Sequence, residues 1–177
     1  MKAAEISNDV LAEIPVFRYL EPDERRQLCD ASSIQQFTSG EVVIRQGKRS
    51  QNLWVLLRGE CQVIRQNSED DSDELVLATL SPYSTFGEMS FFHEAPHSAG
   101  VRAKGNVEIL RLKRESYDEL IENGATSAYK LALAAVETMA DRLRKMDEWV
   151  AMLVSGNGRQ KHEWSHFRTS LFSEWNL

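Results

Sequence analysis

Between Ser33 and Leu112 the chain is cut into short β-forming runs, each closed by turn residues, and this spacing constrains the fold more than any other feature. Ile34–Thr38 ends at Ser39-Gly40, Glu41–Gln46 at Gly47, and Leu53–Leu57 at Arg58-Gly59. Cys61–Arg65 leads into an acidic segment, Leu75–Leu80 stops at Ser81-Pro82, and Val107–Leu112 alternates. Runs rich in β-branched and apolar residues, bounded by Gly, Pro and Ser, read as strands. Several of them at near-regular intervals predict a closed or sandwiched antiparallel sheet.

Helical signals flank this region. Ile6, Val10, Leu11 and Ile14 recur at helical spacing until Pro15 breaks the pattern. Pro22 suits a first helical turn, Asp23 and Glu24 suit its positive end, and Leu28 faces inward. After Lys113 a short helix, Glu115–Ile121, closes at Asn123-Gly124, and a long helix runs from about Ala125 to Val154. The fold class is therefore α+β. The chain divides into residues 1–124 (helices and strands), 125–154 (the long helix) and 155–177 (a tail).

The long helix carries an apolar seam. Val136, Met139, Leu143, Met146, Val150 and Leu153 alternate spacings of three and four, with Tyr129 and Ala132 in register before them. This is a heptad pattern, flanked by Asp141, Arg142, Arg144, Lys145, Asp147 and Glu148. It predicts a parallel helix–helix homodimer, with packing of the helix within one chain as the alternative. In the tail, Trp164, Phe167, Leu171 and Trp175 form a helical face that would pack on the dimer or dock a protein partner.

Composition narrows the function classes. Hydrophobic residues make up 42% and charged residues 27%, which is globular. A net charge of −6 argues against nucleic acid as a partner. About twenty residues follow the long helix, too few for a helix-turn-helix. The acidic run Glu69–Glu74 reads as a solvated loop, lacking the spaced ligands and glycine of a calcium loop. Cys29 and Cys61 make neither a disulfide framework nor a zinc cluster. No apolar run approaches the ~20 residues needed to span a bilayer. The expectation is a cytoplasmic, non-membrane protein. No nucleophile elbow, phosphate loop or cysteine–histidine pair is present, so no enzymatic activity is expected.

The distinctive stretch is Phe86 to Val101. Phe86-Gly87-Glu88 has the form of a tight turn opening a short helix, where backbone amides can face an anion and a glutamate can accept hydrogen bonds from sugar hydroxyls. From about residue 10 to residue 154 the ordered pattern resembles the cyclic-nucleotide-binding domain family. Leu11–Phe17 is similar to its N-terminal helical segment. Gly40–Gly47 and Leu53–Gly59 are similar to its strands and turn glycines. Phe86-Gly87-Glu88 is similar to the opening of its phosphate-binding cassette, and Val101–Ala103 with Val107–Leu112 to its exit strands. The long helix is similar to the dimer helix of bacterial cyclic-AMP-receptor-type regulators.

That resemblance implies a β-roll with flanking helices and a regulatory, ligand-sensing role. It also implies a cassette of Phe86, Gly87, Glu88, Met89, Ser90, His97, Ser98 and Ala99. The implied ligand is cyclic AMP or cyclic GMP, with no further cofactor and no metal. The cassette departs from the family where Pro96-His97-Ser98-Ala99-Gly100 stands in place of proline, arginine, small residue, alanine and a hydroxyl residue. His97 thus replaces the phosphate-pairing arginine, and Gly100 the hydroxyl. Arginine is permanently charged and forked, whereas histidine is largely neutral at pH 7. Arg102 and Lys104 are candidate substitutes, or else are exposed on a strand edge. The alternative is a degenerate domain that no longer binds nucleotide and serves as a homodimeric interaction module.

His93-Glu94-Ala95-Pro96-His97 also matches the H-E-x-x-H zinc pattern, a remote alternative. Pro96 disfavours the helix that would bring the two histidines together. His162 and His166, spaced i, i+4 in the tail, are a further metal candidate.

Overall fold

A computed structural model of the chain describes residues 6–66 and 74–154. The tail face, His162 and His166, most of the acidic run and the Leu153 side chain lie outside the described residues.

The N-terminal segment forms α1 (Asn8–Ala12), a 3₁₀ turn (Pro15–Phe17) and α2 (Pro22–Asp30). The first helix is shorter than its apolar spacing suggested. Ser7 accepts from the Val10 amide to start it, and Pro15 opens the 3₁₀ turn that follows. Pro22 sits in the first turn of α2, where Glu24 accepts from the Glu21 amide at 2.7 Å.

Among the described residues eight strands follow: β1 (Ser32–Phe37), β2 (Val42–Ile44), β3 (Asn52–Arg58), β4 (Cys61–Arg65), β5 (Leu75–Leu80), β6 (Thr85–Phe86), β7 (Gly100–Ala103) and β8 (Val107–Lys113). They form two antiparallel four-stranded sheets, ordered β1-β8-β3-β6 and β2-β7-β4-β5. A short helix, α3 (Glu88–Phe92), lies between β6 and β7. After β8 come α4 (Arg114–Glu122) and α5 (Thr126–Val154). The architecture is the α+β roll with a long C-terminal helix that the sequence predicted. The run at Glu41–Gln46 is only three residues of strand, because its register against β7 shifts between Val42 and Ile44.

Two apolar cores meet on β3 and β8. Leu53, Val55 and Leu57 of β3, with Leu110 and Leu112 of β8, face a core built with α1, α2, α4 and α5. Trp54 and Leu56, with Val107 and Ile109, face the space between the sheets. This is why Leu53–Leu57 reads as an unbroken apolar run: the strand is covered on both faces. Cys29 belongs to the first core and Cys61 to the second. Burial raises their thiols to about 11 and about 12, so both are unreactive near neutral pH.

The long helix uses two faces. Ala128, Leu131, Ala134 and Ala135 are buried against the N-terminal helices. Polar clamps flank this contact: Ser127 donates to Gln27, Lys130 to Glu24, and Arg18 and Tyr19 both to Glu137. The heptad seam lies on another face. Tyr129, Val136, Leu143, Met146 and Val150 are all exposed, and Met139 is half-buried.

Candidate functional site

The site is assembled where β6 runs into α3. Gly87 makes the turn with φ +82°, a left-handed conformation. A side chain there would also collide: an added Cβ would sit 2.7 Å from the Asn52 carbonyl and 2.9 Å from Trp54 Cδ1. Phe86 is stacked on Trp54 with ring centroids 6.3 Å apart, which fixes the approach to the turn. The Phe91 amide then bonds back to the Gly87 carbonyl at 3.0 Å and the helix begins.

All eight cassette residues expected from the sequence line one cleft of about 150 Å³. Ile44, Val63, His93, Ala95, Pro96 and Val101 complete its wall. Phe86, Glu88, Ser90 and His97 are buried, Ala99 is half-buried, and Ser98 and Met89 stand at the rim. Met89 is 63% exposed and takes no part in the cleft floor. Gly100 explains itself by close approach. A Cβ there would lie 3.1 Å from Ile64 Cγ1 and 3.2 Å from the Ile44 carbonyl, so any larger side chain would press on both neighbours.

Three groups set the electrostatics. Glu88 keeps only 5% of its surface exposed, and its Oε1 accepts from Nη1 of Arg142 on α5. His97 is 6% exposed, with its Nε2 2.8 Å from Ser50 Oγ. Burial pushes the His97 imidazole below its usual value, so it is neutral near pH 7. The loop is pinned by its backbone as well: His97 donates to the Lys48 carbonyl and accepts from the Gly47 amide, each at 2.9 Å.

Among the described residues no lysine or arginine lines the cleft. Arg102 pairs with Glu74 and Lys104 with Glu60, each at 2.8 Å, so the two candidate substitutes are committed elsewhere. Arg49 lies 4.0 Å from Glu94, with both side chains largely exposed. Arg142 and Ser50 were not legible as site residues, since one reads as a charged flank of a heptad and the other as an ordinary loop serine. The H-E-x-x-H pattern does not form its helix. α3 ends at Phe92, and His93 is already extended at φ −132°. Among the described residues no group of three His, Cys, Asp or Glu is placed to hold a metal ion.

Comparison with known proteins agrees with this geometry. A family model described as the cyclic nucleotide-binding domain matches residues 34–123. A cAMP-dependent protein kinase regulatory subunit from Blastocladiella emersonii is 31% identical over 111 residues, 63% of this chain and 27% of that protein. The chain therefore spans about a quarter of that relative's length. The Thermus thermophilus catabolite activator protein superposes with a TM-score of 0.70 at 29% identity, over 79% of this chain and 63% of that one. The N-terminal domain of a transcriptional regulator from Streptomyces coelicolor does so with 0.66 at 29% identity, over 85% and 99%. With half of its length matched by the family model and its fold shared with these structures, the chain belongs to the cyclic nucleotide-binding domain family.

Proposed function

We propose that this chain is a non-enzymatic regulatory domain that takes a cyclic nucleotide, cyclic AMP or cyclic GMP, into the cleft over α3 and reports its presence through α5. One observation carries the reading. The buried carboxylate best placed to accept sugar hydroxyls, Glu88, is bonded to an arginine of the long helix. Anything that engages Glu88 therefore acts on α5 directly. The exposed seam Tyr129, Val136, Leu143, Met146 and Val150 gives that helix a surface through which to pair with a second copy or act on another protein. In this reading the protein is a cytoplasmic homodimer, residues 125–154 are its output element, and the tail is a docking segment for a partner.

The likeness to a kinase regulatory subunit and to a catabolite activator protein supports a regulatory role without choosing the downstream partner. Isothermal titration calorimetry of the full chain with cyclic AMP and cyclic GMP tests the ligand. Saturable binding at 1:1 per chain is expected. No heat with either nucleotide, at protein concentrations where the chain is folded, overturns the reading.

A second reading has its own observation. The cleft is about 150 Å³, below the roughly 300–1,000 Å³ of ordinary ligand pockets, and among the described residues its wall holds no lysine or arginine. This favours a domain that keeps the fold for assembly alone. The same titration decides between the two.

A further inference from the structure

We propose that His97 balances the negative charge of the ligand by taking up one proton as the nucleotide binds, so that this domain binds a proton and a cyclic nucleotide together. The inference rests on the nucleotide reading above.

The charges around the cleft point to this residue. A cyclic phosphate is a diester and keeps its single negative charge throughout the neutral pH range. Among the described residues that line the cleft, only His93 and His97 can become cations. His93 is exposed, where water and salt screen its charge, whereas His97 is 6% exposed. The strands β2, β4 and β7 contribute Ile44, Val63 and Val101 to the wall, and these carry no charge. Helix α3 contributes Glu88, whose carboxylate is already met by Arg142 of α5. Lys48 and Arg49, in the connection that meets the His97 loop, are exposed and outside the cleft lining, and Arg49 lies 4.0 Å from Glu94. A buried anion without a countercharge is costly, so an anion that enters this cleft favours protonation of the buried imidazole.

The ring can take that proton without leaving its place. Its Nε2 lies 2.8 Å from Ser50 Oγ, and a hydroxyl both donates and accepts. Ser50 can donate to Nε2 of the neutral ring and accept from Nε2–H of the imidazolium, so the contact survives in both states. Among the described residues the other nitrogen, Nδ1, has no hydrogen-bond partner. In the imidazolium it is a charged donor suited to a phosphate oxygen. The backbone bonds to Gly47 and Lys48 hold the loop without using the side chain. Burial keeps the ring neutral before an anion arrives. A negative charge in contact then favours the imidazolium by about ten- to a thousand-fold. The proton comes from solvent with the ligand, and affinity falls as pH rises.

The experiment is calorimetry of the full chain with cyclic AMP, cyclic GMP and adenosine from pH 6.5 to pH 8.5, in two buffers of unlike ionisation heat, HEPES and Tris, with circular dichroism checking the fold at each pH. The difference between buffers counts the protons taken up. For the cyclic nucleotide that binds, an uptake approaching one proton per chain is expected near pH 7.5, and affinity weakens about ten- to a hundred-fold across the range. Adenosine, which has no charge, shows no such slope. His97→Gln binds the cyclic nucleotide weakly and without a slope. His97→Arg carries a permanent charge, so its slope vanishes and at pH 8.5 it binds more tightly than wild type. It decides the matter where His97→Gln fails to fold. Cyclic-nucleotide binding by wild type with neither proton uptake nor slope overturns the inference. So does a slope that persists in His97→Gln, one that His93→Gln removes, or an equal slope with adenosine. A wild-type chain that binds neither cyclic nucleotide at any of these pH values overturns the nucleotide reading beneath it, which is a different result from any of these.

Discussion

The Nε2 of His97 lies 2.8 Å from Ser50 Oγ, so this buried ring of the cleft is tied to the connection between β2 and β3. That connection also meets the cassette loop through two backbone hydrogen bonds, Gly47 to His97 and His97 to Lys48. Two segments about fifty positions apart are thereby stitched into one rim of the cleft.

Burial of His97 makes stability depend on pH. Its folded-state value is lowered, so at mildly acidic pH the unfolded chain takes up a proton that the folded chain refuses. Stability is then fully present above the unfolded value of about 6.5 and is lost as pH falls through it toward the lowered one. The thermal midpoint is expected to drop between pH 7.5 and pH 5.5. His97→Gln keeps a polar partner for Ser50 and should flatten that drop. Differential scanning fluorimetry of both proteins across this range measures it, and parallel slopes would count against the assignment.

Gly87 and Gly47 share a left-handed backbone, at φ +82° and φ +75°, but not a neighbourhood. Alanine at Gly47 meets no heavy atom within 4 Å and costs only the backbone strain of about 1–2 kcal/mol. Alanine at Gly87 adds a clash with the Asn52 carbonyl at 2.7 Å, which raises the expected cost to about 2–5 kcal/mol. Urea unfolding of the two variants separates the terms. Equal costs would mean that β3 yields easily and that the turn is not rigidly packed.

Lys130 and Glu24 clamp α5 to α2 at 2.7 Å. The Lys130 ammonium bonded to Glu24 holds that carboxyl below its usual value, helped by the Glu21 amide. The sign follows from the lowered value. The contribution is present above the unfolded value near 4.5 and is lost as pH falls through the folded one. Lys130→Met should lower the thermal midpoint at pH 7 by a few degrees, in keeping with a partly exposed pair worth under about 1 kcal/mol. At pH 3 the difference from wild type should shrink. A difference that persists unchanged at pH 3 would assign the effect to the lysine stem and its packing.

What could be read in the sequence follows from how local each signal is. β3 was legible because a strand covered on both faces must be apolar throughout, as Leu53–Leu57 is. Gly87 was legible because a turn before a helix asks for positive φ. β6 was not, since Thr85 and Phe86 are strand only by pairing with Val55 and Trp54, and two residues carry no period. Arg142 was not, because its partner Glu88 lies 54 positions earlier and only the packing of α5 joins them. The inner face of α5 was hidden for a different reason. Ala128, Ala134 and Ala135 are small residues whose burial no heptad template registers, so the helix read as one-faced.

That second face makes the assembly testable. With α5 already packed on its own domain through Ala128, Leu131, Ala134 and Ala135, the exposed seam residues Val136 and Leu143 stand outside the core of a single chain. Val136 and Leu143 are each 55% exposed, one heptad apart. A charge at either position in a monomer is a surface change worth under about 0.5 kcal/mol. In a paired helix it places a charge inside an apolar seam and opposes its own symmetry mate. Leu143→Glu is therefore expected to convert a dimer to a monomer by light scattering coupled to size exclusion, while circular dichroism stays as in wild type and the thermal midpoint loses only its dependence on protein concentration and the stabilisation that pairing supplied. The α5 clamps to α2 and the 3₁₀ turn do not involve Leu143, so loss of pairing should leave them intact. A wild-type chain that is monomeric at high concentration would instead assign the exposed stripe to a different protein.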